Sequence, residues 1–248
     1  ITKLAELIGT TVGEIKYKLD ALKEFNPMMG HRGCRLGISY PEITEMQARA
    51  IFEAAAAVIK EGGKVHPEVM IPLIGNEKEF IEQETIIRKV AEEVMKEKKI
   101  KFKYKVGTMI EIPRAALLAD EIAEEADFFS YGTNDLTQMT FGFSRDDSNK
   151  FLFDYMNHDV FSTNPFSTLD KKGVGKLIEM SAQLGRTTNK NIKLGICGEQ
   201  AGDPEALELY SKLGITYLSC SPFRIPLVKL ALAKLAINQD SAGQSITN

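Results

Sequence analysis

The 248 residues carry 31 Lys and Arg against 34 Asp and Glu, a formal charge of −3, which excludes a general nucleic-acid grip because that needs a basic excess. With 44% hydrophobic and 26% charged residues the chain can build one sizeable core, and wholesale disorder is excluded. Apolar stretches such as 54–59 and 227–237 are broken by charge before the roughly 18–20 residues a membrane span needs, and three cysteines without paired spacing (Cys34, Cys197, Cys220) fit neither a disulfide framework nor a zinc ribbon, which points to a reducing, cytoplasmic setting.

In chain order, the sequence starts at Ile1 without the charged, apolar and small-residue succession of a signal peptide, so a fragment or processed product is expected. Residues 4–25 read as a helical pair ahead of Asn26-Pro27, making 1–25 a linker or lid segment. From Gly33 onward, short apolar or β-branched runs alternate with segments of helical period, the pattern of βα units on a parallel sheet. Six strands are expected, at 34–39, 68–75, 104–112, 127–131, 193–197 and 216–219. Pro41, Pro113 and Pro204 suit first helical turns, and Asn76 and Asp203 are capping residues. Ile43, Met46, Ala50, Ile51 and Ala54 recur at three- and four-residue steps, predicting one buried stripe. The next helix repeats the pattern with Phe80, Ile81, Ile86, Ile87, Val90 and Val94. The run 238–248 is polar and aperiodic and reads as a tail. No G-x-G-x-x-G follows the first strand, which argues against a dinucleotide-binding open sheet. A (β/α)₈ TIM-barrel type over 26–237 fits better, incomplete here, with about six of eight units and the first two strands absent.

In such a barrel the chemistry collects where strands end. Reading those positions gives Glu111, then Gly132-Thr133-Asn134-Asp135, then Cys197-Gly198-Glu199. A carboxylate after three apolar positions is costly unless paired, protonated or bound to a cation. Glu111 and Asp135 are together suited to Mg²⁺, which keeps positions open for water and phosphate; alternatively Asp135 caps a helix and Glu111 pairs with Arg114. Gly132, Thr133 and Asn134 form either an anion cradle at a helix N-terminus or a plain capping turn. The Cys197 thiol is either a proton donor and acceptor for a carbon acid or a small buried hydrophobe. Arg32, Arg35 and Arg145 flank strand ends, where a guanidinium fork suits phosphate, or else are solvated surface residues. His31, His66 and His158 show no metal-ligand spacing.

The stretches NPMMGHRGCRLGISYPEI (26–43), GTMIEIPRAALLADEIAEEADFFSYGTNDLTQMTFGFSRDD (107–147), GICGEQAGDP (195–204) and LSCSPFRIP (218–226) carry a resemblance that runs from about Leu4 to Ile237. They resemble the C-terminal phosphoenolpyruvate/pyruvate-binding barrel of the PEP-utilising enzymes, most closely the pyruvate phosphate dikinase branch. The resemblance implies that Glu111 and Asp135 hold Mg²⁺, that Gly132, Thr133 and Asn134 contact substrate, and that Cys197 is the acid/base at the methyl or methylene carbon. Arg32 and Arg145 would contact the phosphate. It further implies pyruvate and phosphoenolpyruvate as substrates, a phosphohistidine on a swivelling domain as phosphoryl partner, and a homodimer. No segment matches the two substrate arginines of the first barrel strands, the ATP-grasp domain or the swivelling domain, so the isolated fragment is expected to turn over little or not at all. The rival branches are PEP synthase and enzyme I of the sugar phosphotransferase system. A non-catalytic dimerisation module is the reading from another class.

Overall fold

The computed structural model describes residues 1–24 and 26–244, and its contacts fall into two units, Ile1–Arg32 and Gly33–Asn248. In the first unit, α1 (Thr2–Ile8) ends at Gly9, whose φ of 70° is the left-handed conformation glycine adopts freely. Helix α2 (Val12–Ala21) opens on a capping box: the Thr11 hydroxyl accepts from the Glu14 N–H at 3.1 Å, and the Glu14 carboxylate accepts from the Thr11 N–H at 3.1 Å.

The second unit begins with a correction. The run expected as the first strand, 34–39, is helix α3 (Cys34–Ser39). A six-residue apolar run cannot distinguish helix from strand by period alone. Here Gly33 turns the chain at φ 58°, the Cys34 N–H is bonded to the Pro72 carbonyl, and Gly37 lets α3 approach Gln83 and Thr44 closely. Pro41 then starts α4 (Pro41–Lys60), which buries Ala48, Phe52, Ala55 and Ala56. The predicted stripe is therefore displaced: Met46 is 61% and Ile51 43% exposed. The cause is that α4 has two apolar faces, one packed on the next helix and the other, with Ile43 and Ile51, lining a groove of about 380 Å³ beside the first strand.

The five remaining strands are present: β1 (Glu68–Ile71), β2 (Lys105–Ile110), β3 (Phe128–Gly132), β4 (Lys193–Cys197) and β5 (Tyr217–Ser219). All pair in parallel, in the order of the sequence. Between β1 and β2 lies α5 (Glu77–Lys98), started as expected by Asn76, whose side chain accepts from the Lys78 N–H at 2.9 Å. It buries Phe80, Ile87, Val90 and Val94. After β2 come α6 (Pro113–Leu117) and α7 (Ala119–Ile122). Helices α8 (Thr133–Phe141), α9 (Asn149–Asn157) and α10 (Val174–Thr188) follow β3, and α11 (Leu207–Lys212) follows β4. Pro204 and Asp203 sit ahead of a turn, with the Asp203 carboxylate accepting from Glu205 N–H, and α11 starts only at Leu207. Last is α12 (Ile225–Gln244), so the polar run from 238 is helical to Gln244 and 245–248 lie outside the described residues. Among the described residues no helix is long and apolar enough to cross a membrane.

Alternation along the strands gives the sheet two different faces. Val69, Ile71, Val106, Ile110, Phe129, Tyr131, Leu194 and Ile196 form the core under the helices; fully burying each of these side chains is worth about 1.5–3 kcal/mol. The opposite face presents Glu68, Met109, Ser130, Lys193 and Tyr217. Lys193 Nζ meets the Glu68 carboxylate at 2.7 and 2.8 Å. These residues stand on β4 and β1, three strand spacings or ~14 Å apart in a flat sheet, so the face is concave. Two glycines make room inside the curve: a Cβ on Gly107 would lie 2.5 Å from the Phe128 ring, and one on Gly195 would lie 1.9 Å from the Tyr217 ring.

Candidate active site

The concave face ends at a rim where the strands run out. Gly132, Cys197 and Ser219 are register partners there, and Glu111 is the first residue past β2. Glu111 is buried, 3% exposed, on a strand end whose neighbours are apolar. Its Oε1 accepts from the Leu73 N–H at 2.7 Å. Its Oε2 lies toward Gly132, since a Cβ there would come within 2.8 Å of that oxygen and 2.6 Å of Met109 Sδ. Arg114, the alternative partner raised from the sequence, donates to the Gly75 carbonyl. Asp135 is also buried, in the first turn of α8, where a carboxylate is favoured by the helix dipole.

Cys197 is half-buried, with Sγ 3.5 Å from the Tyr131 carbonyl oxygen and 3.9 Å from Met109 Sδ. Burial pushes its thiol above the ordinary value, and the negative charges of Glu111 and Asp135 push it further. Ser130 opposes that rise. Its buried hydroxyl stands beside the thiol and beside the Tyr217 hydroxyl, outside normal hydrogen-bond geometry to either. Burial likewise raises the Tyr217 phenol, and Lys193 Nζ sits 4.6 Å from the Tyr217 ring centroid.

Thr133 and Asn134 bind the next loop. The Thr133 hydroxyl, fully buried, lies 2.6 Å from Gln200 Oε1 and 3.0 Å from the Cys197 carbonyl oxygen. Asn134 Oδ1 accepts from the Glu199 N–H at 3.1 Å. Between them Gly198 has φ 102°, and a Cβ there would sit 2.4 Å from Thr133 Oγ1; only glycine fits both the conformation and the approach. The turn after β3 thus fixes the turn after β4, and with it the position of Cys197. Gln200 completes the junction by donating to the Pro165 carbonyl at 2.8 Å.

Arg145 reaches the same loop, with Nη2 3.7 Å from Glu199 Oε1. Arg35 lies in α3. Arg32 belongs to the first unit, where its Nε donates to the Met28 carbonyl at 2.8 Å. The structure therefore gathers Glu111, Gly132, Thr133, Asn134, Asp135, Cys197 and Arg145 around the ends of three neighbouring strands, β2, β3 and β4. Sequence reasoning missed Ser130, Tyr217, Gln200 and Leu73. For the first two a signal existed: each lies two residues before a rim position, hence on the same face of its strand.

Among the described residues no three His, Cys, Asp or Glu side chains are placed together to hold a metal ion. Two buried carboxylates remain a donor set that suits Mg²⁺, which takes one or two carboxylates and fills its sphere with water and substrate oxygens. The missing Cβ at Gly132 lets the Glu111 side chain and Met109 pack directly against the end of β3, where a Cβ would lie 2.8 Å from Glu111 Oε2.

A curled parallel sheet with acids and a thiol at its C-terminal rim defines an α/β domain with a candidate site at its strand ends, and its sequence places it further. Residues 7–237 match the family described as PEP-utilising enzyme, PEP-binding domain, and the chain belongs to that family. It is 56% identical over 237 residues to pyruvate, phosphate dikinase of Clostridium symbiosum, covering 95% of this chain and 27% of that protein. The chloroplastic dikinases of Arabidopsis thaliana and Flaveria bidentis are 54% and 53% identical, each match covering 96% of this chain and 25% of the relative. The chain thus spans about a quarter of the length of the curated relatives it matches.

Proposed function

We propose that this domain binds pyruvate and phosphoenolpyruvate at the rim and interconverts them by phosphoryl transfer with a phosphohistidine on another domain of the same enzyme. The whole reaction would be that of a dikinase, converting ATP, pyruvate and phosphate to AMP, phosphoenolpyruvate and diphosphate. One observation carries the reading: two buried carboxylates, Glu111 and Asp135, stand with the Cys197 thiol at one strand-end rim. We read the sheet as five strands of a (β/α)₈ barrel, the other three coming from the rest of the parent chain. Sequential parallel order and the curl that joins Glu68 to Lys193 support this. A homodimer belongs to the reading through family resemblance, and a cytoplasmic location through three cysteines without paired spacing.

Burial and two neighbouring carboxylates keep the Cys197 thiol protonated near neutral pH. In the direction of pyruvate, the O–P bond of phosphoenolpyruvate breaks as the phosphoryl group passes to the histidine, and Cys197 gives its proton to the methylene carbon of the enolate. In reverse, the thiolate takes a methyl proton and the enolate oxygen receives the phosphoryl group. Glu111 and Asp135 would hold Mg²⁺, which when bound supplies neutralising charge to substrate oxygens. Asn134, with Oδ1 occupied by the Glu199 N–H, offers its amide nitrogen to substrate, and Gly132 contributes its backbone at the rim. Arg145 is assigned to the phosphate, a role the resemblance also gives Arg32. Cys197→Ala in the full-length enzyme should abolish pyruvate C–H exchange while leaving ATP-dependent histidine phosphorylation intact. Normal exchange in that variant would refute the assignment.

A further inference from the structure

Leu73 is 1% exposed and has φ 61°, a left-handed conformation that costs a branched residue roughly 1–2 kcal/mol. Such strain persists where surrounding contacts over-determine it. The contacts come from both sides. On one side the Leu73 N–H donates to Glu111 Oε1 at 2.7 Å. On the other, the Cys34 thiol donates to the Leu73 carbonyl, with Sγ to O 3.3 Å, and the Cys34 N–H donates to the Pro72 carbonyl at 3.1 Å. Gly33 closes the grip. A Cβ there would lie 3.0 Å from Leu73 Cδ1 and 3.1 Å from the Pro72 carbonyl oxygen, and its φ of 58° is itself a glycine conformation.

We propose that Gly33 and Cys34 form a clip that holds the left-handed Leu73 peptide so that its N–H fixes one oxygen of Glu111 and leaves the other turned into the site. The inference rests on the proposed function, in which Glu111 is a metal ligand. Neither clip residue touches the rim, so both are positioning residues. Cys34 serves as a hydrogen-bond donor, and burial holds its thiol protonated with a pKa pushed up to about 12. The clip joins the N-terminus of α3 to the loop after β1, and that loop to the end of β2. The carboxylate's orientation is therefore set by residues 38 or more positions away in sequence. Without the thiol donor the Leu73 peptide is free to relax toward an ordinary φ, its N–H swings from Glu111, and the carboxylate loses its fixed rotamer. Partners of this kind that orient a metal ligand typically account for 10- to 100-fold in metal affinity.

The test uses the full-length enzyme without nucleotide, Mn²⁺ as the probe ion followed by electron paramagnetic resonance, and amide exchange at Leu73 in metal-free protein. Cys34→Ala should weaken Mn²⁺ binding about 5- to 10-fold and speed exchange of the Leu73 amide. Cys34→Ser, which keeps a donor, should recover affinity to within about twofold. Histidine phosphorylation from ATP should be unchanged in both. If Cys34→Ala binds Mn²⁺ as tightly as the unsubstituted enzyme, or if serine fails to rescue, the clip is overturned. Should Cys34→Ala not fold, the unsubstituted enzyme still decides, because a Leu73 amide that exchanges as fast as exposed loops overturns the proposal and slow exchange with serine rescue supports it. If Glu111→Gln leaves Mn²⁺ affinity untouched, the proposed function is refuted, and this inference with it. Loss of affinity in Glu111→Gln alone refutes only the clip.

Discussion

Gly195→Ala is the sharpest steric test of the concave face. The new Cβ would lie 1.9 Å from Tyr217 Cζ and 2.2 and 2.3 Å from two further ring carbons, where ordinary carbon contacts need about 3.5–4.0 Å. The ring must therefore move by roughly 1.5 Å or more. In doing so it leaves Lys193, now 4.6 Å from its centroid, and withdraws its hydroxyl from Ser130. Overpacking costs about 1–3 kcal/mol and the lost cation–π contact about 0.5–1 kcal/mol, so about 2–4 kcal/mol is expected. At ~2–4 °C per kcal/mol for a domain of this size, the calorimetric transition of the domain should fall by roughly 5–15 °C. Pyruvate C–H exchange should fall with it, because Ser130 and Cys197 lose the neighbour that fills the space below them. The decisive comparison is a double-mutant cycle with Tyr217→Ser, which removes the ring the Cβ collides with. The double variant should be scarcely less stable than Tyr217→Ser alone, a coupling of about 2–4 kcal/mol. Strict additivity, or a Gly195→Ala transition indistinguishable from that of the unsubstituted protein, would show that the ring and this glycine do not share the space.

The state of the Cys197 thiol can be read from alkylation. In metal-free protein its reaction with iodoacetamide, followed by mass spectrometry of the Cys197 peptide, should reach half its maximal rate above the ordinary thiol value of 9.0. Asp135→Asn removes a negative neighbour, favours the thiolate and should move that midpoint down; an unchanged or raised midpoint contradicts the electrostatic account. At the loop junction, Asn134→Ala deletes the acceptor for the Glu199 N–H, a loss of about 1–3 kcal/mol if that N–H is left unsatisfied. Amide exchange at Glu199 should quicken in Asn134→Ala and stay slow in Asn134→Asp, which keeps an oxygen; equal exchange in both would remove the loop-fixing role.

Much of the site was legible because strand ends and side-chain alternation are local properties. Glu111, Asp135 and Cys197 were placed at the rim simply by closing each apolar run, and the glycine-rich turn after β3 was located in the same way. Ser130 and Tyr217 were within reach of the same period-two argument, although FFSYG and TYLS carry no polar pattern that separates a site residue from a core one.

The rest was decided by packing between distant segments. Whether 34–39 becomes strand or helix turned on Gly33 and on the Pro72 carbonyl that receives the Cys34 N–H. The stripe on α4 was displaced because that helix meets different neighbours on two faces, which a single sequence period cannot encode. The left-handed Leu73, and the assignment of Thr133 and Asn134 to the Cys197 loop, depend on contacts spanning 38 to 67 positions. The sequence by itself thus determined which residue types stand at the strand ends, since alternation and turn chemistry act over a few residues. Only the tertiary structure decided which backbone groups hold those side chains, because hydrogen bonds between loops form only once the sheet has brought them together.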